Sequence, residues 1–420
     1  MISSTVMNPT ISNNLFLSEL RQINLFFIGF ILYSIGYALP FSHLVNYQLC
    51  NAIQVVGIIL FLPATVLLIN FKVENIYLRI LIYIYLFYLG TIVFRGFTTD
   101  YTLIKYFLFD SWFGGFIYMV PLVSLFPKNL LTIKKIFDTI KIFSIIFLIL
   151  LLVFSPLLFT RGTQSSMAFI EVISKTIGLP AGFILMTYPY HKMKSRIIAG
   201  TTLTAILFLA IYHARRGLLL YALMIFLFAG FVYLSNGRNR LFVAVLFVMI
   251  FSSAYIFGTE VLNKSNLFSY LRERGTEDTR SYVEIRFYED MEERDWIFGR
   301  GMNGQFYCPG IIWEGEDSIY RDVIETDFLM IILKGGIISL TLLLLILIPG
   351  VFMGLFYSKN LLTKSASIWI LIGIINMYPS TVNTFTLNYI MMWVFIGFIF
   401  NKNIRMLSER QIINYFKNVS

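Results

Sequence analysis

Long apolar runs recur along this chain from about residue 24 to residue 400, and most are as long as a membrane is thick. A helix that crosses the hydrocarbon core of a bilayer needs about 20 apolar residues. Only 13% of the residues are charged, against about 25% in a typical soluble domain. Because backbone groups in lipid must be hydrogen-bonded within the chain, these runs predict helices. We therefore expect an all-α polytopic membrane protein.

The hydropathy pattern predicts about twelve spans and one long connection. The polar N-terminus lacks a cleavage signal, so the first span is interpreted as an uncleaved anchor. The chain then divides into a transmembrane part at 1–258, a large loop at 259–327, and a transmembrane part with a tail at 328–420. The predicted spans are 24–41, 52–70, 78–94, 106–126, 142–159, 168–187, 197–212, 217–234, 241–258, 328–356, 366–380 and 385–400.

Lysine and arginine are distributed unequally over the connections between these spans. The connections on one side, together with both termini, hold eighteen, whereas the short connections on the other side hold five. Cytoplasmic connections carry the excess of positive charge in membrane proteins. We therefore expect both termini in the cytoplasm and the loop at 259–327 on the opposite side.

The large loop contains 16 of the 23 acidic residues of the chain and eight basic residues. Its middle reads SYVEIRFYEDMEERDWIFG, in which Val283, Phe287 and Met291 are four residues apart. This spacing predicts an amphipathic helix, which we expect at the membrane surface.

A short turn on the loop's side of the membrane carries His213, Arg215 and Arg216. Two adjacent arginines there run against the charge bias, so topology does not explain them. Arginine is always charged and matches phosphate with a planar fork. The turn is therefore interpreted as a binding site for an anion. The alternative is a pair of side chains that anchor a helix end at the interface.

Further arginines and glycines of the loop are candidate anion ligands. Arg280 has few acidic neighbours along a helix, whereas Arg286 can simply pair with acidic residues of its own helix. The stretch IFGRGMNG contains Arg300 between Gly299 and Gly301, whose amides could face an oxyanion if they adopt positive φ.

The stretch ETDFLMIILKGGIISL returns the chain to the membrane and begins with two carboxylates, Glu325 and Asp327. A carboxylate beside apolar surface can act as a general base. We expect this role for Glu325, with His213 as the next catalytic candidate, and a substrate-binding role for Asp327. Asp327 also suits the ordinary preference for acids in the first turn of a helix.

Several other polar groups receive structural interpretations. Glu171 and Lys175 are spaced to neutralise each other within one span, and Asp110 and Lys334 could pair across helices. The two cysteines, Cys50 and Cys308, leave a disulfide open. No group has the spacing of a zinc site, and a solvated loop is favoured over a cation site for the acidic residues Glu314, Glu316 and Asp317.

Three features together resemble the bacterial O-antigen polymerases of the Wzy type and, more distantly, the O-antigen ligases. The first is Arg216-Gly217 at the start of a span after a short outer turn. The others are the arginine-bearing loop with its IFGRGMNG turn and the re-entry at Glu325. The ligases normally have histidine at the re-entry, which this chain lacks. The resemblance covers spans 7 to 10 best, and spans 1 to 6 contribute only topology.

The resemblance implies a glycosyltransferase of the bacterial inner membrane that joins repeat units carried on undecaprenyl pyrophosphate at the periplasmic face. The expected partners are the lipid-linked oligosaccharide, the bilayer and a chain-length regulator, without nucleic acid. No cofactor or metal is expected, because arginines, with Arg216 and Arg280 as the catalytic candidates, can stabilise the leaving pyrophosphate. A flippase or transporter of lipid-linked glycans and an O-antigen ligase are the alternatives.

Overall fold

The protein is an all-α polytopic membrane protein. Its structure, a computed structural model, describes residues 9–160, 163–236, 280–309 and 319–419. Within these residues, eight helices are long and apolar enough to cross a membrane. They are Leu17–Ser42, Tyr47–Leu68, Ile76–Arg95, Leu130–Val153, Ser165–Met186, Met193–Tyr212, Arg216–Leu234 and Asp327–Phe356.

The described part of the chain contains seventeen α-helices, several 3₁₀ and π turns, and one small hairpin. The 3₁₀ segments are Leu39–Ser42, Gly115–Leu125 and Tyr188–Tyr190, and the π turn is Ser174–Gly178. The hairpin pairs β1 (Phe306–Tyr307) with β2 (Tyr320–Arg321) in antiparallel register. The α-helices are α1 (Pro9–Ala38), α2 (Tyr47–Leu68), α3 (Ile76–Arg95), α4 (Tyr101–Phe109), α5 (Leu130–Val153), α6 (Ser155–Leu158), α7 (Gln164–Ile173), α8 (Ala181–Met186), α9 (Met193–Tyr212), α10 (Arg216–Asn236), α11 (Ser281–Asp290), α12 (Glu293–Phe298), α13 (Asp327–Phe356), α14 (Leu361–Asn376), α15 (Leu387–Phe400), α16 (Lys402–Met406) and α17 (Glu409–Val419).

Most of the predicted spans coincide with observed helices. The fifth begins at Leu130, well before its predicted start. The last two are the shorter apolar helices α14 and α15, of 16 and 14 residues. The predicted span at 241–258 lies outside the described residues, as does the predicted boundary at 258.

The fourth predicted span, 106–126, is wrong as a continuous helix. α4 ends at Phe109, and Asp110 accepts hydrogen bonds from the amides of Trp112 (2.6 Å) and Phe113 (2.7 Å). A side-chain carboxylate that takes amides in this way competes with the helix. The chain then continues as the 3₁₀ segment Gly115–Leu125. This segment still crosses the bundle, since Leu125 accepts a hydrogen bond from the amide of Asn70 beyond α2.

The first two helices pack closely because glycines face each other. A side chain at Gly29 would come within 2.6 Å of the Gly57 carbonyl oxygen, and the reverse is also true. Small residues allow helices in a membrane to approach until their backbones touch. The contact places the large rings of Phe26, Tyr33 and Phe61 together in the core of the bundle.

The connections gather at two ends of the bundle as the alternation of spans predicts. At one end, the turn after α6 contacts the turn at His213, and Asp327 is bonded to the segment after α14. At the other end, the amide of Leu361 donates to Glu409 (2.9 Å), and Leu362 donates to Tyr190 (3.0 Å). The large loop therefore lies at the same end as the arginine turn.

The described part of the large loop has its own small core. Val283 and Phe287 of α11 and the following Met291 pack with Phe306 and Ile324 of the loop and with the first turns of α13. The amphipathic helix is confirmed, but its apolar face is covered by protein. The re-entering helix provides the partner for the apolar face, so packing against protein explains the apolar spacing without a membrane surface.

Candidate functional site

Arg280 and Glu325, predicted separately from two distant stretches, form an ion pair at the end of the bundle. The Arg280 Nε atom donates to Glu325 Oε2 at 3.0 Å. The Arg280 Nη2 atom donates to the carbonyl oxygen of Pro379 at 2.9 Å. The guanidinium therefore joins three segments: the start of α11, the chain just before α13, and the loop after α14.

The arginine turn lies against the same Pro379 loop. A side chain at Gly217 would come within 3.0 Å of the Pro379 carbonyl oxygen, so glycine at this position permits the contact. The turn is tight because Ala214 adopts a left-handed conformation (φ 52°), and the amide of Arg215 donates to the Ala210 carbonyl. Arg216, the first residue of α10, is exposed next to this contact.

Arg215 is oriented by a carboxylate that the sequence analysis treated as structural. Its Nη1 atom lies 3.2 Å from Glu171 Oε2, and Lys175 Nζ lies 2.7 Å from Glu171 Oε1. The predicted pairing of Glu171 with Lys175 is confirmed. Arg280 is close enough to Glu171 to interact electrostatically. Three cations therefore surround one partly buried carboxylate.

Lys175 lies on the π turn Ser174–Gly178, which interrupts the sixth span. Such turns occur frequently at functional sites, because they re-aim a side chain. Here the Lys175 ammonium lies 4.9 Å from the centre of the Trp112 ring as well as against Glu171. The sequence pointed to this site only through the pair of Glu171 and Lys175, because charged side chains are costly within a membrane span.

His213 is buried and holds two turns together. Its Nε2 atom donates to the carbonyl oxygen of Leu158 at 2.7 Å, and its ring packs edge-on against Tyr212. This hydrogen bond fixes the position of the neighbouring Arg215 and Arg216. The geometry favours a role in shaping the turn, and it gives no support for the predicted catalytic role of His213.

Asp327 joins the re-entry to the loop after α14. Its carboxylate accepts a hydrogen bond from the amide of Asn383 at 2.9 Å, and its own amide donates to the Met377 carbonyl. The side chain is fully buried. Asp327 therefore positions the loop that carries Pro379, in agreement with the structural alternative for this residue.

The Gly299–Gly304 turn is docked onto a break in α13. Gly336 interrupts that helix with φ 68° and ψ −178°. A break frees backbone carbonyl groups, which need partners where water is excluded. The amide of Arg300 donates to the Leu333 carbonyl (2.7 Å), and the amide of Gly301 donates to the Lys334 carbonyl (2.9 Å).

This docking gives Gly299 and Gly301 a structural explanation. Both have positive φ, as predicted, at 69° and 84°. A side chain at Gly299 would come within 2.4 Å of the Gly335 amide nitrogen. The amides of the turn donate to carbonyl groups of the protein, so they do not face an oxyanion.

Arg300 and Arg286 are held by acidic neighbours. Arg300 contacts Asp290 (2.5 Å) and Asp295 (2.7 Å) and donates to the Gln305 carbonyl. Partial burial alone lowers the pKa of Arg300, but the hydrogen bonds to the two carboxylates outweigh it and raise the pKa above its usual value. Arg286 pairs with Glu289 at 2.8 Å along α11. Arg300 therefore joins three parts of the loop, whereas the Arg286 pair lies within one exposed helix face.

Two further pairings that the sequence left possible are not formed. Lys334 donates to the carbonyl oxygen of Gly304 at 2.9 Å, and Asp110 binds backbone amides, so they do not pair with each other. Asp110 satisfies backbone next to it in the sequence, whereas Lys334 satisfies a carbonyl of the Gly299–Gly304 turn that is docked on its helix. Cys50 and Cys308 are both buried free thiols. The acidic residues at 314, 316 and 317 lie outside the described residues.

The fold and the site define a class: a polytopic α-helical membrane protein with a polar, arginine-rich centre at one end of its bundle. No protein-family model matches the chain, and no curated protein or solved structure matches it at a significant level.

Proposed function

We propose that this protein is a polysaccharide polymerase that joins repeat units carried on undecaprenyl pyrophosphate. The observation that carries the proposal is the convergence of Arg280, Glu325 and the Arg215–Arg216 turn around Pro379. These residues come from three separate stretches of sequence. They combine cations for a diphosphate with a carboxylate at the surface of a membrane bundle.

The arrangement suits transfer of a glycan from a lipid diphosphate. In this step an acceptor hydroxyl attacks the anomeric carbon, and the bond from that carbon to the diphosphate oxygen breaks. The hydroxyl proton passes to Glu325, and the lipid diphosphate leaves with the bonding electrons. Arg215, Arg216 and Arg280 stabilise its charge through fixed guanidinium groups.

Glu325 has a different setting from the one expected. Its side chain is 58% exposed, so it is not covered by the apolar surface that the sequence predicted beside it. Its ion pair with Arg280 instead fixes its direction. We therefore assign Glu325 to orienting the acceptor hydroxyl and accepting its proton, with Arg280 between that carboxylate and the leaving diphosphate.

The distribution of cations favours the polymerase over a flippase. A flippase is expected to hold its substrate near the bilayer midplane, at discontinuous helices. In the described residues, Arg215, Arg216 and Arg280 instead gather at the end of the bundle that carries the large loop. A ligase is disfavoured because the three histidines of the chain are His43, His191 and His213, none of them in that loop.

Cells that lack this chain test the choice between these functions. If the chain is the polymerase, lipopolysaccharide from the deletion strain carries a single repeat unit, and complementation restores long chains. Lipopolysaccharide without any repeat unit, with long chains still present on the lipid carrier, would identify a ligase. Repeat units confined to the cytoplasmic leaflet would identify a flippase.

The proposed location is the bacterial inner membrane with both termini in the cytoplasm and the site in the periplasm. The distribution of lysine and arginine supports this orientation. Alkaline phosphatase is active only after export. We expect a fusion after residue 300 to be active and a fusion at residue 236 to be inactive. The opposite pattern of activities would place the site in the cytoplasm and exclude the proposed chemistry.

A further inference from the structure

A row of aromatic rings, two exposed and two partly buried, begins beside the Arg280–Glu325 pair. Tyr378 directly precedes Pro379 and is 69% exposed. Its ring stacks on Phe328, with centroids 6.1 Å apart and an interplanar angle of 11°. Phe328 lies three residues after Glu325. This stacked pair is therefore built on the same two segments that hold the candidate site.

A second stacked pair lies on the large loop. Tyr288 of α11 is half exposed, and its ring stacks on Trp296 of α12 with centroids 5.7 Å apart and an angle of 15°. Trp296 also meets the buried ring of Phe287 edge-on at 5.6 Å. Because Phe287 belongs to the loop's core, the outer rings rest on a fixed base.

The two stacked pairs adjoin each other with a carboxylate beside them. Partial burial, the charge of Glu284 and the nearby phenol of Tyr378 together raise the pKa of Tyr288. Tyr288 lies one helical turn after Glu284 on α11, so both side chains lie on the same face of that helix. Glu284 is held in place by Thr326, whose hydroxyl donates to it at 2.5 Å. Thr326 is the residue after Glu325.

Aromatic faces with a neighbouring carboxylate match the chemistry of a sugar ring. A pyranose presents C–H groups on one face, which are attracted to the negative face of an aromatic ring. Its hydroxyls donate to a carboxylate in strong, charge-assisted hydrogen bonds. Glu284 would repel a phosphate, and a purely apolar lipid tail would not use the acceptor capacity that Glu284 keeps beside its bond from Thr326. Tyrosine and tryptophan also supply rigid contact area at low entropic cost.

We propose that Trp296, Tyr288, Tyr378 and Phe328 form a glycan platform, on which sugar rings of the acceptor or of the growing chain stack next to Glu325. The identity of the bound glycan is taken from the proposed function, and in this respect the inference rests on it. Its continuity with the Arg280–Glu325 pair places the bound sugars at the point where the new bond would form.

Binding of a free glycan tests the platform without catalysis. The probe is the repeat-unit oligosaccharide released by mild acid from the lipid-linked intermediates of the host cell, which carries neither lipid nor phosphate. Titration calorimetry with the full chain in lipid nanodiscs gives its affinity. We expect Tyr378→Ala to weaken binding about tenfold, whereas Tyr378→Phe retains the ring face and most of the affinity. The matched control is Tyr357→Ala, which removes a ring that is 66% exposed at the other end of α13.

The possible results test the glycan platform and the proposed function separately. Equal affinity of the wild type, Tyr378→Ala and Tyr357→Ala for the oligosaccharide would overturn the platform and leave these rings as anchors at the membrane interface. A wild type that does not bind the oligosaccharide would overturn it as well. If Tyr378→Ala alone loses binding but the wild type extends no lipid-linked glycan, the platform stands and the polymerase proposal fails.

Discussion

Replacing Gly336 by alanine is expected to prevent accumulation of the folded protein. Gly336 has φ 68° and ψ −178°, a region of backbone conformation that only glycine adopts readily. A Cβ atom there would lie 2.0 Å from the Ile297 carbonyl oxygen. Strain and overlap together cost at least about 3 kcal/mol, a large part of the roughly 5–15 kcal/mol that stabilises a typical protein. Fluorescence-detected size-exclusion chromatography with a thermal ramp measures the loss.

The matched control for this prediction is Gly200→Ala. Gly200 lies within α9, and a Cβ atom there would have no neighbour within 4 Å. Alanine favours a helix over glycine by about 1 kcal/mol, so the control is expected to be as stable as the wild type or slightly more stable. Wild-type yield and melting temperature for Gly336→Ala would show that the break in α13, and the docking of the Gly299–Gly304 turn onto it, are incorrect.

Replacing Glu325 by glutamine is expected to lower the rate of chain extension by about 100-fold or more, the usual cost of losing a general base. Glutamine keeps the shape of the side chain, and its amide oxygen can still accept the hydrogen bond from Arg280. It cannot accept a proton from the acceptor hydroxyl. Donor binding should persist, because Arg215, Arg216 and Arg280 are unchanged.

The loop offers a closely matched control in Glu289→Gln. Glu289 pairs with Arg286 at 2.8 Å, and its side chain is 58% exposed, the same fraction as for Glu325. Surface pairs of this kind contribute little to stability. We expect the Glu289 variant to extend chains at the wild-type rate. An equal loss in both variants would mean that the effect comes from the loop's charge and not from a specific role of Glu325.

Hydropathy predicted most of the fold, because the requirement for apolar helices of fixed length acts locally along the chain. It failed where a polar side chain redirects the backbone. Asp110 binds the two amides after it and ends α4, so one predicted span became a helix followed by a 3₁₀ segment. The end of α14 at Asn376 was also missed, and with it the loop that carries Pro379.

The site was predicted only in part, because its assignment depends on contacts between distant residues. Arg280 and Glu325 were both named as candidates, and the structure brings them together. The role of Gly299 and Gly301 could not be predicted from the neighbouring sequence, since it depends on the break at Gly336. Glu171 was paired correctly with Lys175, but its second contact, to Arg215, joins two spans that are far apart in sequence.

The most direct test of the central claim is turnover by the purified full-length chain in nanodiscs, with a lipid-linked repeat unit as the only substrate. The account predicts products that grow by whole repeat units, one undecaprenyl pyrophosphate released for each new glycosidic bond, and full activity in the presence of a metal chelator. It also predicts little product from Glu325→Gln and wild-type product from Glu289→Gln. A correctly folded wild-type protein that leaves the lipid-linked repeat unchanged would contradict the account.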